Sequence, residues 1–112
     1  MRIYIIDCKN EQVYFYEPIF EEDKYIGMDK YYIQLGKIEF SLLKILANGH
    51  CYSLKELSIL LDKKKFALYF YRAECHGWEH IRYAILDLRK KGFKITTVSK
   101  SGYRLEDIIY IK

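Results

Sequence analysis

The sequence predicts an α+β fold in which strands come first, three helices follow and a hairpin ends the chain. Three observations lead to this prediction. Residues 1–35 alternate apolar and polar side chains with the period of a strand. The stretches 36–49, 53–62 and 78–91 repeat apolar side chains with the period of a helix, and residues 92–112 return to the strand pattern. Because 112 residues suit one hydrophobic core, we expect a single domain over 1–112.

Residues 1–35 are expected to form a small antiparallel sheet. MRIYIID and QVYFYE alternate in the manner of half-buried strands, and CKNE between them is typical of a turn. Pro18 is expected to end this hairpin, since proline cannot donate to a ladder. FEEDKYIGMDK (20–30) is expected to be a charged connection, and YYIQL (31–35) a further strand.

Two short helices are expected next. In GKIEFSLLKILANG the apolar residues fall on one helical face, and Asn48-Gly49 supplies a C-terminal stop. SLKELSILLD begins with Ser53 and has Glu56 three residues later, which is the pattern of a capping box. The two helices are so closely joined that they resemble a helix–turn–helix pair.

A third helix is expected over 78–91, closed by Gly92, with one apolar side formed by Trp78, Ile81, Ile85 and Leu88. The segment before it, 62–77, fits either a strand or a helical turn, and both remain open. After it, FKITTV and YRLEDIIYI are expected to be two strands joined at SKSG, with Gly102 supplying the backbone freedom of the turn.

The motifs LGKIEFSLLKIL, SLKEL, LRKK and ITTVSKSGYRL, in this order, resemble the C-terminal DNA-binding domain of OmpR/PhoB-type transcription regulators. The matching positions are Glu39, Phe40, Leu42, Leu43, Ser53, Leu88, Arg89, Lys91, Ile95, Thr97, Val98, Gly102, Tyr103, Arg104 and Leu105. The C-terminal half is also similar to the winged helix of biotin-repressor-type regulators.

Both resemblances imply a winged helix–turn–helix with an N-terminal antiparallel sheet (1–35), a three-helix core (36–91) and a C-terminal β-hairpin wing (92–112). They imply a transcription regulator that binds double-stranded DNA, with the third helix in the major groove and the wing on the minor groove or the backbone.

The charge distribution agrees with a phosphate-binding surface in the C-terminal part. Residues 1–40 carry five Lys or Arg against eight Asp or Glu, whereas residues 41–112 carry fourteen against seven. A basic region behind an acidic one is the pattern expected of a nucleic-acid-binding protein, although a solubilising charge pattern explains it as well.

Eight residues are candidates for contacts with DNA bases or phosphates. The candidates on the third helix are Arg82, Tyr83, Arg89 and Lys90, and those on the wing are Thr97, Ser99, Lys100 and Arg104. An alternative for Arg104 is a salt bridge on the sheet. Three consecutive lysines at 63–65 either reach the phosphate backbone or are simply solvated.

A protein-interaction module, as in a phage or accessory factor, is the alternative function. Where the family presents basic and small polar residues on the third helix, this chain has Glu79, Leu86 and Asp87. The acids either belong to an interface or pair along the helix, Asp87 with Lys91 and Glu79 with Arg82.

No catalytic motif is present, so we expect neither an enzyme nor a cofactor. His50-Cys51, Cys75-His76 and His80 lack the ligand spacing of a zinc site, so no metal is expected. The polar N-terminus and the lack of a long apolar run predict a cytoplasmic protein without membrane contact. The expected partners are DNA and either a second copy, as a homodimer, or another protein.

Overall fold

The computed structural model of the chain describes residues 2–61 and 76–112. Within them the molecule is a mixed α+β structure with three helices and two sheets, so the predicted α+β class is confirmed. The strands are β1 (Ile3–Asp7), β2 (Gln12–Glu21), β3 (Lys24–Ile33), β4 (Ile95–Val98), β5 (Gly102–Leu105) and β6 (Ile108–Ile111). The helices are α1 (Lys37–Leu46), α2 (Leu54–Leu61) and α3 (His76–Lys90).

The larger sheet has four strands in the order β3-β2-β1-β6. Adjacent strands β1, β2 and β3 run antiparallel, whereas β6 pairs with β1 in parallel, with Ile3 opposite Ile108. The second sheet is the antiparallel hairpin β4–β5, called here the C-terminal hairpin. The N-terminal sheet predicted for residues 1–35 is therefore present, but it includes a strand from the end of the chain.

The β2–β3 hairpin is longer than the sequence predicts. Pro18 does not end β2, and most of 20–30 is strand instead of a charged connection. Proline is tolerated because β1 pairs only with residues 12–15, which leaves one edge of β2 open at Pro18. The reversal takes only Glu22 and Asp23, whose φ angles of 50° and 64° are typical of a type I′ turn.

The end of the chain also differs from the prediction. One returning strand was expected over YRLEDIIYI, but the structure has β5 and β6 as separate strands in different sheets. The chain changes sheet at Glu106 and Asp107. The backbone N–H of Glu106 donates to the carbonyl of Lys94 at 2.8 Å, and the Asp107 carboxylate accepts from the N–H of Lys94 at 2.7 Å. These bonds hold the corner at which the chain leaves the hairpin.

The helix boundaries follow local chemistry. The predicted capping box of α2 is confirmed: the Ser53 N–H donates to Glu56 Oε1 and the Glu56 N–H donates to Ser53 Oγ, both at 3.1 Å. Gly92, with φ 104°, follows the end of α3, where its N–H donates to the Arg89 carbonyl and that of Phe93 to the Leu88 carbonyl. This is a Schellman motif, so the predicted role of Gly92 is confirmed.

One apolar cluster joins the helices to both sheets. Each helix packs against the other two, and the sheet adds the inward side chains of β1 and β2. The largest fully buried side chains are Tyr4, Ile6, Val13, Leu42, Leu43, Leu46, Leu57, Leu61, Ile81, Ile85 and Leu88. This core fixes the direction in which α3 and the C-terminal hairpin present their outer sides.

The open question about segment 62–77 falls mostly on 62–75, which lie outside the described residues. In the described residues, no helix is sufficiently long and apolar to span a membrane.

Candidate nucleic-acid interface

Helix α3 has one buried side and one exposed side. Ile81, Ile85 and Leu88 are buried as predicted. The prediction was wrong for Trp78, which retains 37% of its accessible surface and is not part of the core cluster of the described residues. The other side of the helix carries polar and apolar residues together. Its exposed members are Glu79, Arg82, Tyr83, Leu86, Asp87 and Lys90.

Three of the candidate DNA contacts lie on this exposed side with their groups available. Tyr83 retains 65% of its accessible surface, and Arg82 and Lys90 are also exposed. Within residues 2–61 and 76–112, Arg82 and Lys90 make no ion pair. Cations in this state can pair with phosphate without first breaking an internal bond.

Arg89, the fourth candidate on α3, is occupied within the molecule. Its Nε donates to the carbonyl of Ile95 and its Nη2 donates to Oγ1 of Thr97, both at 2.9 Å. The guanidinium also lies 5.8 Å from the ring centroid of Tyr103. Arg89 therefore joins the last turn of α3 to both strands of the C-terminal hairpin, and the Thr97 hydroxyl is used in the same contact.

A third chain segment completes the attachment of the hairpin. Tyr52, between α1 and α2, pairs with Tyr103 of β5 through two backbone hydrogen bonds, of 2.9 Å and 2.8 Å. Its hydroxyl accepts from the side-chain amide of Asn48 at 2.6 Å. The hairpin is thus fixed to α3 on one side and to the α1–α2 connection on the other.

The turn of the C-terminal hairpin presents a lysine. The Ser101 N–H donates to the carbonyl of Val98 at 3.0 Å, and Ser99 and Lys100 are exposed between them. Lys100 has φ 65°, a left-handed conformation that costs a residue with a side chain about 1–2 kcal/mol. A charged side chain is therefore held at the tip in a conformation that asparagine or glycine adopts more readily.

Gly102 follows the turn and has two reasons to be glycine. Its φ of 117° agrees with the predicted need for backbone freedom. In addition, a Cβ at this position would collide with the carbonyl of Tyr52 and would lie 2.7 Å from Cα of Ser53. The close approach of β5 to the α1–α2 connection depends on the missing side chain.

Arg104 forms the salt bridge that was the alternative to a DNA contact. Its Nε and Nη2 each lie 2.9 Å from Oε1 of Glu106, which also accepts from Oγ1 of Thr96 at 3.0 Å. The Arg104 guanidinium, then the Thr96 hydroxyl, lowers the pKa of the Glu106 carboxyl. The Arg104 charge is consequently compensated on the surface of the hairpin.

Lys91 is paired differently from the expected helix-surface bond with Asp87. Its ammonium donates to Oε2 of Glu39 at 2.9 Å, which ties the end of α3 to the start of α1. Asp87 has no ion-pair partner in the described part of the chain and remains as an exposed negative charge on α3.

The structure thus divides the predicted site residues into two groups. Arg82, Tyr83, Lys90, Ser99 and Lys100 are exposed, and their functional groups make no internal bond within residues 2–61 and 76–112. Arg89, Thr97 and Arg104, in contrast, are used in internal bonds. Sequence reasoning did not anticipate the roles of Tyr52 and Glu106. A single bridging residue carries no periodic pattern, and a surface acid two residues after an arginine is too common to be informative.

The lysines at 63–65 and Cys75 of the possible metal set lie outside the described residues. In the ranges 2–61 and 76–112, no group of three or more His, Cys, Asp or Glu side chains is arranged to hold a metal ion.

No family model, no curated protein and no solved structure matches this chain.

Proposed function

We propose that the chain is a DNA-binding transcription regulator with a winged-helix arrangement, as its motifs suggest. In this proposal α3 enters the major groove, and the C-terminal hairpin acts as the wing on the adjacent minor groove or backbone. One observation carries the proposal. Arg89 ties a helix with an exposed outer side to a hairpin with an exposed lysine at its tip, through two hydrogen bonds of 2.9 Å.

The free and the occupied residues have different roles in this proposal. The proposed contacts are Arg82, Tyr83 and Lys90 on α3 and Ser99 and Lys100 at the tip, because their polar groups bond to no other group in the part of the chain that the structure describes. Arg89 and Thr97 act as positioning residues that set the angle between helix and wing. Arg104 contributes to binding only if phosphate displaces Glu106 from its guanidinium.

The acidic residues of α3 limit what the helix can read. Asp87 repels phosphates, although a carboxylate can accept a hydrogen bond from N4 of cytosine. Arg82 and Lys90 flank it with positive charge on the same exposed side. We therefore expect binding driven mainly by the backbone, with any base preference depending on few contacts.

The proposal is tested by titrating labelled duplexes from genomic fragments with the purified chain and following fluorescence anisotropy. For the three proposed cationic contacts, the association constant should fall about 40-fold between 50 and 200 mM salt. An absence of binding at the lower salt concentration would refute the proposal.

A protein-interaction module remains the second candidate because of one specific observation. Leu86 retains 47% of its accessible surface on the outer side of α3, where a DNA-reading helix has little use for leucine beyond a thymine methyl contact. Negative charge placed at the tip distinguishes the two functions. Ser99→Glu with Lys100→Glu should abolish DNA binding, because both residues are proposed tip contacts. Capture of a protein partner that is sensitive to Leu86→Ala but not to these two substitutions supports the interaction module.

A further inference from the structure

The outward face of the four-stranded sheet is apolar, and most of its large side chains are exposed, whereas Tyr14 at its centre retains only 5% of its accessible surface beneath Tyr16, Tyr32 and Lys30. Strand alternation turns Tyr4 and Phe15 toward the helices and their neighbours Ile5 and Tyr14 away from them. A sheet with one solvated face normally alternates apolar and polar residues. Here both faces are apolar, which is the pattern of a sheet buried between two layers.

A continuous row of side chains crosses this outward face. Tyr110, Ile5, Tyr14 and Tyr32 lie side by side on the four successive strands. The next rows along the sheet add Ile3, Ile108, Tyr16 and Met28. We call the surface formed by these eight residues the outer sheet face.

Charge is nearly absent from the middle of the outer sheet face. Lys30 lies there, with its ammonium 4.0 Å from the ring centroid of Tyr14 and 5.0 Å from that of Tyr32. The ammonium itself therefore lies over the two rings, and because β3 is an edge strand it can turn to water at the margin of the sheet. The carboxylate of Asp7, at the end of the face, accepts hydrogen bonds from the backbone N–H and the side-chain amide of Asn10.

We infer that the outer sheet face binds the same face of a second copy of the chain, forming a two-fold dimer by sheet-on-sheet packing. A face that is apolar and carries little charge is complementary to itself, and two copies meet without buried unpaired charge once each Lys30 ammonium turns to water at the margin of the sheet. DNA is a poor occupant because Lys30 supplies little positive charge, and an anionic membrane is repelled by the net acidic residues 1–40.

The area available suits a specific dimer. Six large side chains on the outer sheet face retain between 42% and 63% of their accessible surface: Ile3, Tyr16, Met28, Tyr32, Ile108 and Tyr110. Such a side chain presents on the order of 100 Å² each, which amounts to roughly 1,200 Å² over two copies. This value reaches the lower limit of about 1,200–2,000 Å² for stable specific interfaces.

The dimer does not depend on the proposed DNA binding. The outer sheet face and the exposed side of α3 have no residue in common, so a substitution in one leaves the other unchanged. The dimer would add a second DNA-binding surface related by two-fold symmetry if the proposed function is correct.

Sedimentation velocity of the full chain, from low to high micromolar concentration, tests the inference. The wild-type chain should sediment as a dimer. Tyr32→Lys and Tyr110→Lys should each raise the dissociation constant by about 100-fold, because each substitution removes two tyrosine rings from a two-fold interface even where the new ammonium reaches water at the margin. These residues are 54% and 63% exposed, so circular dichroism spectra should stay unchanged.

Ile59→Lys is the matched control, since Ile59 is 49% exposed on α2 and lies outside the sheet. Its dimer should be as stable as that of the wild type. If the wild-type chain is a monomer at every concentration, that result alone overturns the inference. Dimers that survive both tyrosine substitutions would also overturn the inference, and so would a control variant that dissociates as readily as the tyrosine variants. Retention of a monomeric chain on phosphatidylcholine vesicles would overturn it as well, because the face would then bind lipid.

Discussion

Gly102 is the residue at which the backbone tolerates least change. Its φ is 117°, and a Cβ would overlap the carbonyl of Tyr52. We expect Gly102→Ala to lower the free energy of unfolding by about 3 kcal/mol or more, because backbone strain and steric overlap both contribute. Urea denaturation followed by circular dichroism measures this change.

Gly49→Ala is the control for the conformational part of this cost. Gly49 also has a positive φ, of 78°, but an added Cβ would meet no atom within 4 Å. This substitution should cost about 1–2 kcal/mol. Equal losses for the two variants would mean that the contact between Gly102 and the α1–α2 connection does not constrain the sequence.

Lys100 pairs an unfavourable conformation with an exposed charge, so its stability effect and its binding effect should separate. Replacing it with glycine removes the penalty of φ 65°. Lys100→Gly should raise the free energy of unfolding by up to about 1 kcal/mol and should weaken DNA binding. Thermal and urea unfolding, beside a DNA titration, measure the two effects. A variant that loses both stability and binding contradicts a role for the charge itself.

At the scale of elements, Arg89 decides how the C-terminal hairpin is held on α3. Lysine keeps the charge but cannot donate to Ile95 and Thr97 at once. Arg89→Lys should therefore cost about 1–3 kcal/mol, and hydrogen exchange should accelerate at residues 95–98 and 102–105. Hydrogen-exchange mass spectrometry follows these segments directly.

Lys90→Ala is the control beside it, because Lys90 is exposed and makes no ion pair in the described structure. Its exchange rates in the hairpin should equal those of the wild type. Unchanged exchange in Arg89→Lys would show that packing alone positions the hairpin.

Two turns of the chain carry carboxylates that favour the folded state at neutral pH. The side-chain amide of Asn10 lowers the pKa of Asp7 from its ordinary 3.8, and Arg104 with Thr96 lowers the pKa of Glu106 from 4.5. A carboxyl with a lowered folded-state pKa stabilises the protein above its unfolded-state pKa. That contribution is lost as the pH falls through the folded-state pKa.

We therefore expect the free energy of unfolding to decrease below about pH 4. Asp7→Asn and Glu106→Gln should each reduce the slope of this decrease, which urea titrations at a series of pH values measure. Slopes identical to that of the wild type would mean that other carboxylates cause the acid sensitivity.

Across the whole molecule, the sequence predicted the features that depend on contacts between residues close together in the chain. The capping box of Ser53 and Glu56 and the stop at Gly92 act within a few residues, and both are present in the structure. The alternation of β1 and the first half of β2 likewise predicted the side that packs on the helices. Of the site, the exposed residues at the turn and on α3 were predictable from helical and strand periodicity.

The features that the sequence did not predict depend on distant partners or unusual turns. The reversal at Glu22 and Asp23 lacks the glycine or asparagine that normally marks a type I′ turn, so β3 was not expected before residue 31. The parallel pairing of β6 with β1 joins opposite ends of the chain. The bonds of Arg89 also depend on a geometry that exists only after folding.

The salt dependence of DNA binding in two triple variants tests the proposed surface most directly. One variant combines Arg82→Ala, Lys90→Ala and Lys100→Gly, and the other removes Lys9, Lys24 and Lys37 from the N-terminal part. Each loses three positive charges, so the net charge is the same in both.

If α3 and the hairpin tip bind phosphates, the slope of the logarithm of the association constant against the logarithm of the salt concentration should become less negative by about 2–3 in the first variant. The second variant should keep the wild-type slope. Equal changes in the two variants, or a larger change in the second, would contradict the account.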